Sequence, residues 1–218
     1  MSVHLICGPM FAGKTTILLN MLDNFKNNTT LVLKHTADTR AVRQGDIETH
    51  DGRNFPATRV TSLSEIASVS QFDTIVIDEG QFFQDLTEHC QQWACWGKRV
   101  IVSCLTNGLF MEPIPHVTEV MAIADQITKL TAQCNTCFGA ASFSYRKKSL
   151  PSDMSVKDPR FYLGGAAEYD PCCRRCFLKR LKYDRDTQGG IFKGKGIQNV
   201  TVPMEPFRLT LNTNPLSR

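Results

Sequence analysis

With 218 residues, the chain is long enough to bury one full core and still carry a smaller appendage. A hydrophobic share of 42% is ordinary for a globular protein, and a net charge of +4 is too mild to imply nucleic acid as a partner. No run approaches the ~18 continuous apolar residues of a membrane span, and the first residues lack the basic and long apolar parts of a secretory leader, so a cytoplasmic protein with no membrane partner is expected. In a reducing compartment its nine cysteines read as thiols or metal ligands rather than a disulfide framework.

The first predicted element is the apolar run VHLIC at 3–7, a buried strand that stops at Gly8. GPMFAGKT follows and fits G-x-x-x-x-G-K-[ST], a loop whose backbone N–H groups cradle phosphates while the lysine and the hydroxyl reach the terminal phosphates and Mg²⁺. Helical spacing then runs from 15 to 25 through Ile17, Leu18, Met21, Leu22 and Phe25. Strand, glycine loop and helix thus come in the order that phosphate binding requires.

TLVLK (30–34), DTIVID (73–78) and RVIVSCL (99–105) read as further parallel strands, with a helix over 84–98 between the last two. The polar, turn-rich stretch 35–60 reads as a long excursion or hairpin outside the core. The composition changes near 130, where cysteines cluster and periodicity weakens. This predicts an α/β domain over 1–130, a zinc-binding subdomain over 131–180 and a flexible tail over 181–218.

IVIDEGQFF places Asp78 and Glu79 directly after an apolar strand. Asp78, first off the strand, suits the carboxylate that helps hold Mg²⁺ with Thr15; Glu79, pointing to another side of the cleft, suits a general base for an attacking hydroxyl. The bland alternative is a pair of acids capping the next helix. CNTC (134–137) and CCRRC (172–176) supply two C-x-x-C pairs. Cys134, Cys137, Cys173 and Cys176 can converge on Zn²⁺; using Cys172 instead would break the two-residue gap, and a redox pair is the weaker reading. Cys7, Cys90, Cys95 and Cys104 read as small buried hydrophobes, Trp93 and Trp96 as packed helix residues, and His35 and His50 as solvated or turn residues.

Taken together, GPMFAGKTT, ADTR, THDG, IDEGQFF, ITKLTAQCNTC and LGGAAEYDPCCRRC resemble the type II thymidine kinases in order and spacing over about residues 3–180. The resemblance implies a P-loop NTPase-type α/β fold, a parallel sheet flanked by helices with a smaller zinc-binding lasso subdomain. It also implies a homotetramer that uses ATP, Mg²⁺ and Zn²⁺ to phosphorylate the nucleoside thymidine, and deoxyuridine, at the 5′-hydroxyl. By position, Gly8, Pro9, Met10, Phe11, Ala12, Gly13, Lys14 and Thr15 would hold the ATP phosphates. Asp38, Thr39 and Arg40 match a segment near those phosphates, with Arg40 offsetting developing charge. Glu79 matches the catalytic base, and Asp78, Glu79, Gly80 and Gln81 a second nucleotide-binding segment. Met10, Phe82, Leu105 and Leu109 would line the nucleoside cleft. Phe161, Tyr162, Leu163 and Gly164 match the lasso backbone that closes over thymine, and Tyr169 a tyrosine that touches the nucleoside.

One stretch departs from the pattern. CLTNGLFMEPI (104–114) has Thr106, Leu109 and Ile114 where the family carries Asp, Phe and Phe, which removes a stacking partner for thymine. This departure motivates a competing expectation, a catalytically weakened regulatory subunit; a further alternative is a P-loop ATPase whose zinc module binds nucleic acid.

Overall fold

A computed structural model describes residues 1–25, 29–38, 46–48, 53–147 and 165–187. The apolar runs become strands because they can be covered on both faces. β1 (Ser2–Gly8), β2 (Thr30–His35), β5 (Thr58–Val60), β6 (Thr74–Asp78), β7 (Arg99–Leu105) and β8 (Gln126–Lys129) lie in one six-stranded sheet, in the order β5-β2-β6-β7-β1-β8, with every ladder parallel. One face is covered by α1 (Lys14–Asn24), whose Leu18, Leu19 and Leu22 pack on Ile6, Val32, Val76 and Ile101. The other is covered by α2 (Leu86–Cys95) and α3 (Pro115–Ile123), through Leu86, Cys90, Trp93, Val117 and Val120 against Leu5, Leu33, Ile77 and Val102. Each such fully buried aliphatic side chain contributes about 1.5–3 kcal/mol of transfer free energy.

The stretch 35–60 is only partly an excursion. β3 (Asp46–Glu48) and β4 (Asn54–Pro56) form a small antiparallel pair, but β5 (Thr58–Val60) joins the main sheet beside β2. An edge strand of three residues with one buried side chain, Val60, leaves no alternation to read. The opposite edge, β8 (Gln126–Lys129), is mostly exposed and gives equally little signal. At the end of α2, Trp93 is buried as expected, whereas Trp96 is 58% exposed at the C-cap and Cys95 is exposed as well.

A second small core follows the sheet. β9 (Ala132–Gln133) pairs with β10 (Ala140–Ala141), and β11 (Phe143–Arg146) pairs with β12 (Tyr169–Cys172). α4 (Arg174–Thr187) packs Phe177 edge-on against Phe143 and Tyr145, so helix continues past residue 181, where the composition alone suggested a tail. No helix among the described residues is long and apolar enough to cross a membrane.

Candidate active site and metal centre

A parallel sheet brings all its strand C-termini to one edge, and the loops that leave this edge build the site. Gly8 ends β1 so tightly that an added Cβ would lie 3.0 Å from the Leu130 carbonyl oxygen and 3.2 Å from Ala12 Cβ. Phe11 and Gly13 both take left-handed backbone, φ 64 and φ 79, which curls the loop round on itself. α1 begins at Lys14 with no side-chain cap and no acid in its first turn, leaving its first N–H groups and the positive end of its dipole facing the loop. Lys14 is buried and donates from Nζ to the Pro9 carbonyl at 2.9 Å, so its ammonium lies across the concavity. Residues 8–15 thus form one curled loop with a cationic side chain across it, an arrangement that could hold an anion.

β6 delivers Asp78 and Glu79, both buried, to the same edge. Register places Asp78 opposite Lys34 on β2, and the Lys34 ammonium pairs with Asp38 at 3.3 Å with both side chains buried. Asp38 therefore enters the segment that leads to 39–45 already committed to an ion pair. Glu79 stands in left-handed conformation, φ 53 and ψ 46. Its carboxylate accepts a hydrogen bond from Gln81 Nε2, and Gln81 Oε1 accepts the Leu105 N–H at 3.0 Å. The acids do not cap α2, whose N-cap is Asp85.

His35 is half-buried, edge-on to Phe83 at 5.0 Å and tilted against half-buried Phe82, rather than solvated. Burial lowers its pKa below the usual imidazole value.

In the departing stretch Leu109 and Ile114 are buried, and residues 107–113 close into a tight loop through an Asn107–Pro113 bridge. Glu112 clamps it: its carboxylate accepts the Phe110 N–H at 2.7 Å, and a Cβ on Gly108 would collide with that carboxylate. Met111, at φ 63, packs against the second core.

The β11–β12 ribbon has two faces. Phe143, Tyr145 and Cys172 face α4; Ser144, Arg146 and Tyr169 lie on the opposite one. On that face Ser144 Oγ accepts the Met10 N–H at 2.8 Å, so the glycine loop is bonded to the second core, and Arg146 and Tyr169 are both buried. Ser144 carries no sequence signal, because only strand pairing brings it to the loop. Thr39, Arg40, His50, Phe161, Tyr162, Leu163 and Gly164 lie outside the described residues.

Cys134, Cys137, Cys173 and Cys176 bring their sulfurs within 4.8 Å of one another, and Cys137 and Cys173 stand 3.6 Å apart. Zn–S bonds of about 2.3 Å at tetrahedral angles need sulfurs about 3.8 Å apart, so the cluster fits zinc. Burial opposes charge on Cys134, but the N–H groups of Cys173, Thr136 and Cys137 hold its thiol down to about 6. Burial and the neighbouring thiols push Cys176 up to about 12. Four thiolates need a cation to share this space. Cys172 points into the second core instead, where burial first, then the charge of Cys134, pushes it up to about 12. Cys7, Cys90 and Cys104 are buried, and desolvation raises all three thiols, as suits inert side chains.

A family model described as thymidine kinase matches residues 1–177. The chain belongs to the thymidine kinase family. The thymidine kinase of Yaba monkey tumor virus is 38% identical over 180 residues, spanning 81% of this chain and 94% of that protein. Those of Myxoma virus (strain Lausanne) and raccoon poxvirus are 34% and 36% identical over 179 residues, each spanning 81% of this chain and 96% of the relative. Family membership makes the chain an enzyme with a nucleoside substrate.

Proposed function

We propose that the chain transfers the γ-phosphoryl group of ATP to the 5′-hydroxyl of thymidine, and of deoxyuridine, with Glu79 as general base. The observation that carries this reading is the convergence at one sheet edge of an uncapped, lysine-bearing anion cradle and a buried carboxylate held by Gln81. Glu79 accepts the 5′-hydroxyl proton as that oxygen forms its bond to the γ-phosphorus. The bond from the γ-phosphorus to the bridging oxygen breaks, and its electron pair leaves on ADP. Residues 8–15 orient the triphosphate, and Lys14 offsets charge on the β and γ oxygens.

Thr15 and Asp78 would hold Mg²⁺, which when bound neutralises charge shared by those oxygens. The pocket suits a hydrated cation: Ser103 lies one position past the Ile77–Val102 pair, beside Asp78, and its buried hydroxyl has no hydrogen-bond partner among the described residues. Arg40 and the 161–164 backbone, with Met10, Phe82, Leu105, Leu109 and Tyr169, complete the substrate sites in this reading. Zinc on the four cysteines supplies structure only. The working form is a cytoplasmic homotetramer.

Thymidine-dependent release of ADP tests the proposal. Glu79→Gln should lower kcat by about 10²–10⁴ with both substrates still bound, the usual scale for a positioned base. Lys14→Ala should abolish turnover. Turnover of Glu79→Gln within threefold of the parent would remove the base assignment.

A further inference from the structure

Glu79 occupies backbone space that a residue with a Cβ enters only at a cost, so something around it must enforce the conformation. The next three residues form a single 3-10 turn, Gly80–Phe82, closed by Phe82 N–H to the Glu79 carbonyl at 3.1 Å and Phe83 N–H to the Gly80 carbonyl at 3.0 Å. This turn has no room to move inward: a Cβ on Gly80 would lie 2.7 Å from Val102 Cγ1 and 3.3 Å from Leu86.

Its middle residue, Gln81, is 1% exposed and is held three ways. The side chain donates to Glu79 and accepts from Leu105, as described above. Its backbone carbonyl accepts from His116 Nε2 at 2.8 Å, which fixes the proton of that imidazole on Nε2. His116 is itself 6% exposed, sits in the first turn of α3, and has its own carbonyl bonded by Thr87 Oγ1 at 3.1 Å. One polar chain therefore runs from α3 through the Gln81 backbone and side chain to the Glu79 carboxylate.

We infer that His116 is a positioning residue for phosphoryl transfer, acting through Gln81 on Glu79. The inference rests on the reading of Glu79 as the base. Losing the imidazole donor frees the Gln81 carbonyl, lets the 3-10 turn rotate and removes the amide that aims the carboxylate. The loss falls on the chemical step and not on nucleoside binding.

The test compares His116→Leu, which removes the donor, with His116→Gln, whose amide nitrogen reaches the same distance. Each is made in the parent and in Glu79→Gln. In the parent, the Leu variant should lower kcat about tenfold with KM for thymidine within twofold, the scale of one lost buried hydrogen bond, and the Gln variant should restore kcat to within about threefold. In the Glu79→Gln background, the Leu change should have no further effect on residual turnover.

An equal loss in both backgrounds, a loss carried by KM, or no rescue by Gln would overturn the role of His116 while leaving Glu79 as base. Full turnover of Glu79→Gln alone would overturn the base reading instead. Should His116→Leu fail to fold by its thermal melt, His116→Asn, too short to reach the carbonyl, replaces it with the same expected loss.

Discussion

Leu109 is buried in a loop that Glu112 holds shut, so the family's aromatic position is filled here by an aliphatic side chain with a fixed backbone. A leucine offers contact area but no π face, so in the proposed reading base selection would fall on polar groups that reject a wrong edge by leaving buried donors or acceptors unpaired. Leu109→Phe should lower the Kd for thymidine by about tenfold or less, measured by calorimetry, with deoxycytidine remaining poor. Complete loss of thymidine binding would show a pocket rebuilt for another base. The substitution itself was legible in the sequence. The clamp was not, because a glutamate closing its own loop looks like any surface acid until Gly108 is seen against its carboxylate. His116 is a similar case: one histidine near a proline carries no pattern, and its meaning comes from a carbonyl 35 residues away.

At the scale of elements, one contact that joins the two cores is the hydrogen bond from the Met10 N–H in the glycine loop to Ser144 Oγ on β11. Removing an acceptor from a partly buried N–H costs about 1–3 kcal/mol, felt where the loop must hold its curl around a triphosphate. Ser144→Ala should raise KM for ATP by about 5- to 100-fold while the melting temperature changes little, and Ser144→Thr, which keeps the oxygen, should stay near the parent. An unchanged KM for ATP in the alanine variant would show that the loop holds its shape unaided.

The four long strands, α1 and α2 could be read because runs such as TIVID are apolar on both faces and the glycine loop sits between a strand and a helix. β5 and β8 could not, since edge strands bury little, and the ribbon that places Ser144 against the loop depends on a pairing partner 27 residues away at Pro171.

For the whole molecule, the cysteine cluster ties together two segments far apart in sequence, Cys137 and Cys173 being 36 residues apart. Their spacing in pairs made the ligands legible, whereas the direction of Cys172 had to be seen. The segment that the cluster closes bears Ser144 and Tyr169, and the same small core receives Met111 from the loop that carries Leu109. In the proposed reading, metal at the cluster would stabilise the fold and hold both substrate sides of the catalytic edge in register, because it would remove loop entropy from the unfolded chain and fix β11 against the glycine loop.

Purified protein should contain about one zinc per chain, Cys173→Ser less than about a tenth of that, and Cys172→Ala an undiminished amount. Stripping the metal with a chelator should lower the melting temperature and weaken binding of both ATP and thymidine. Helical signal from α1 and α2 should persist, since their packing lies wholly on the main sheet. If metal loss left both affinities unchanged, the second core would be a passive appendage, and the Met10–Ser144 bond would have no part in binding. If Cys172→Ala released the zinc instead, the ligand set would be the one with the three-residue gap.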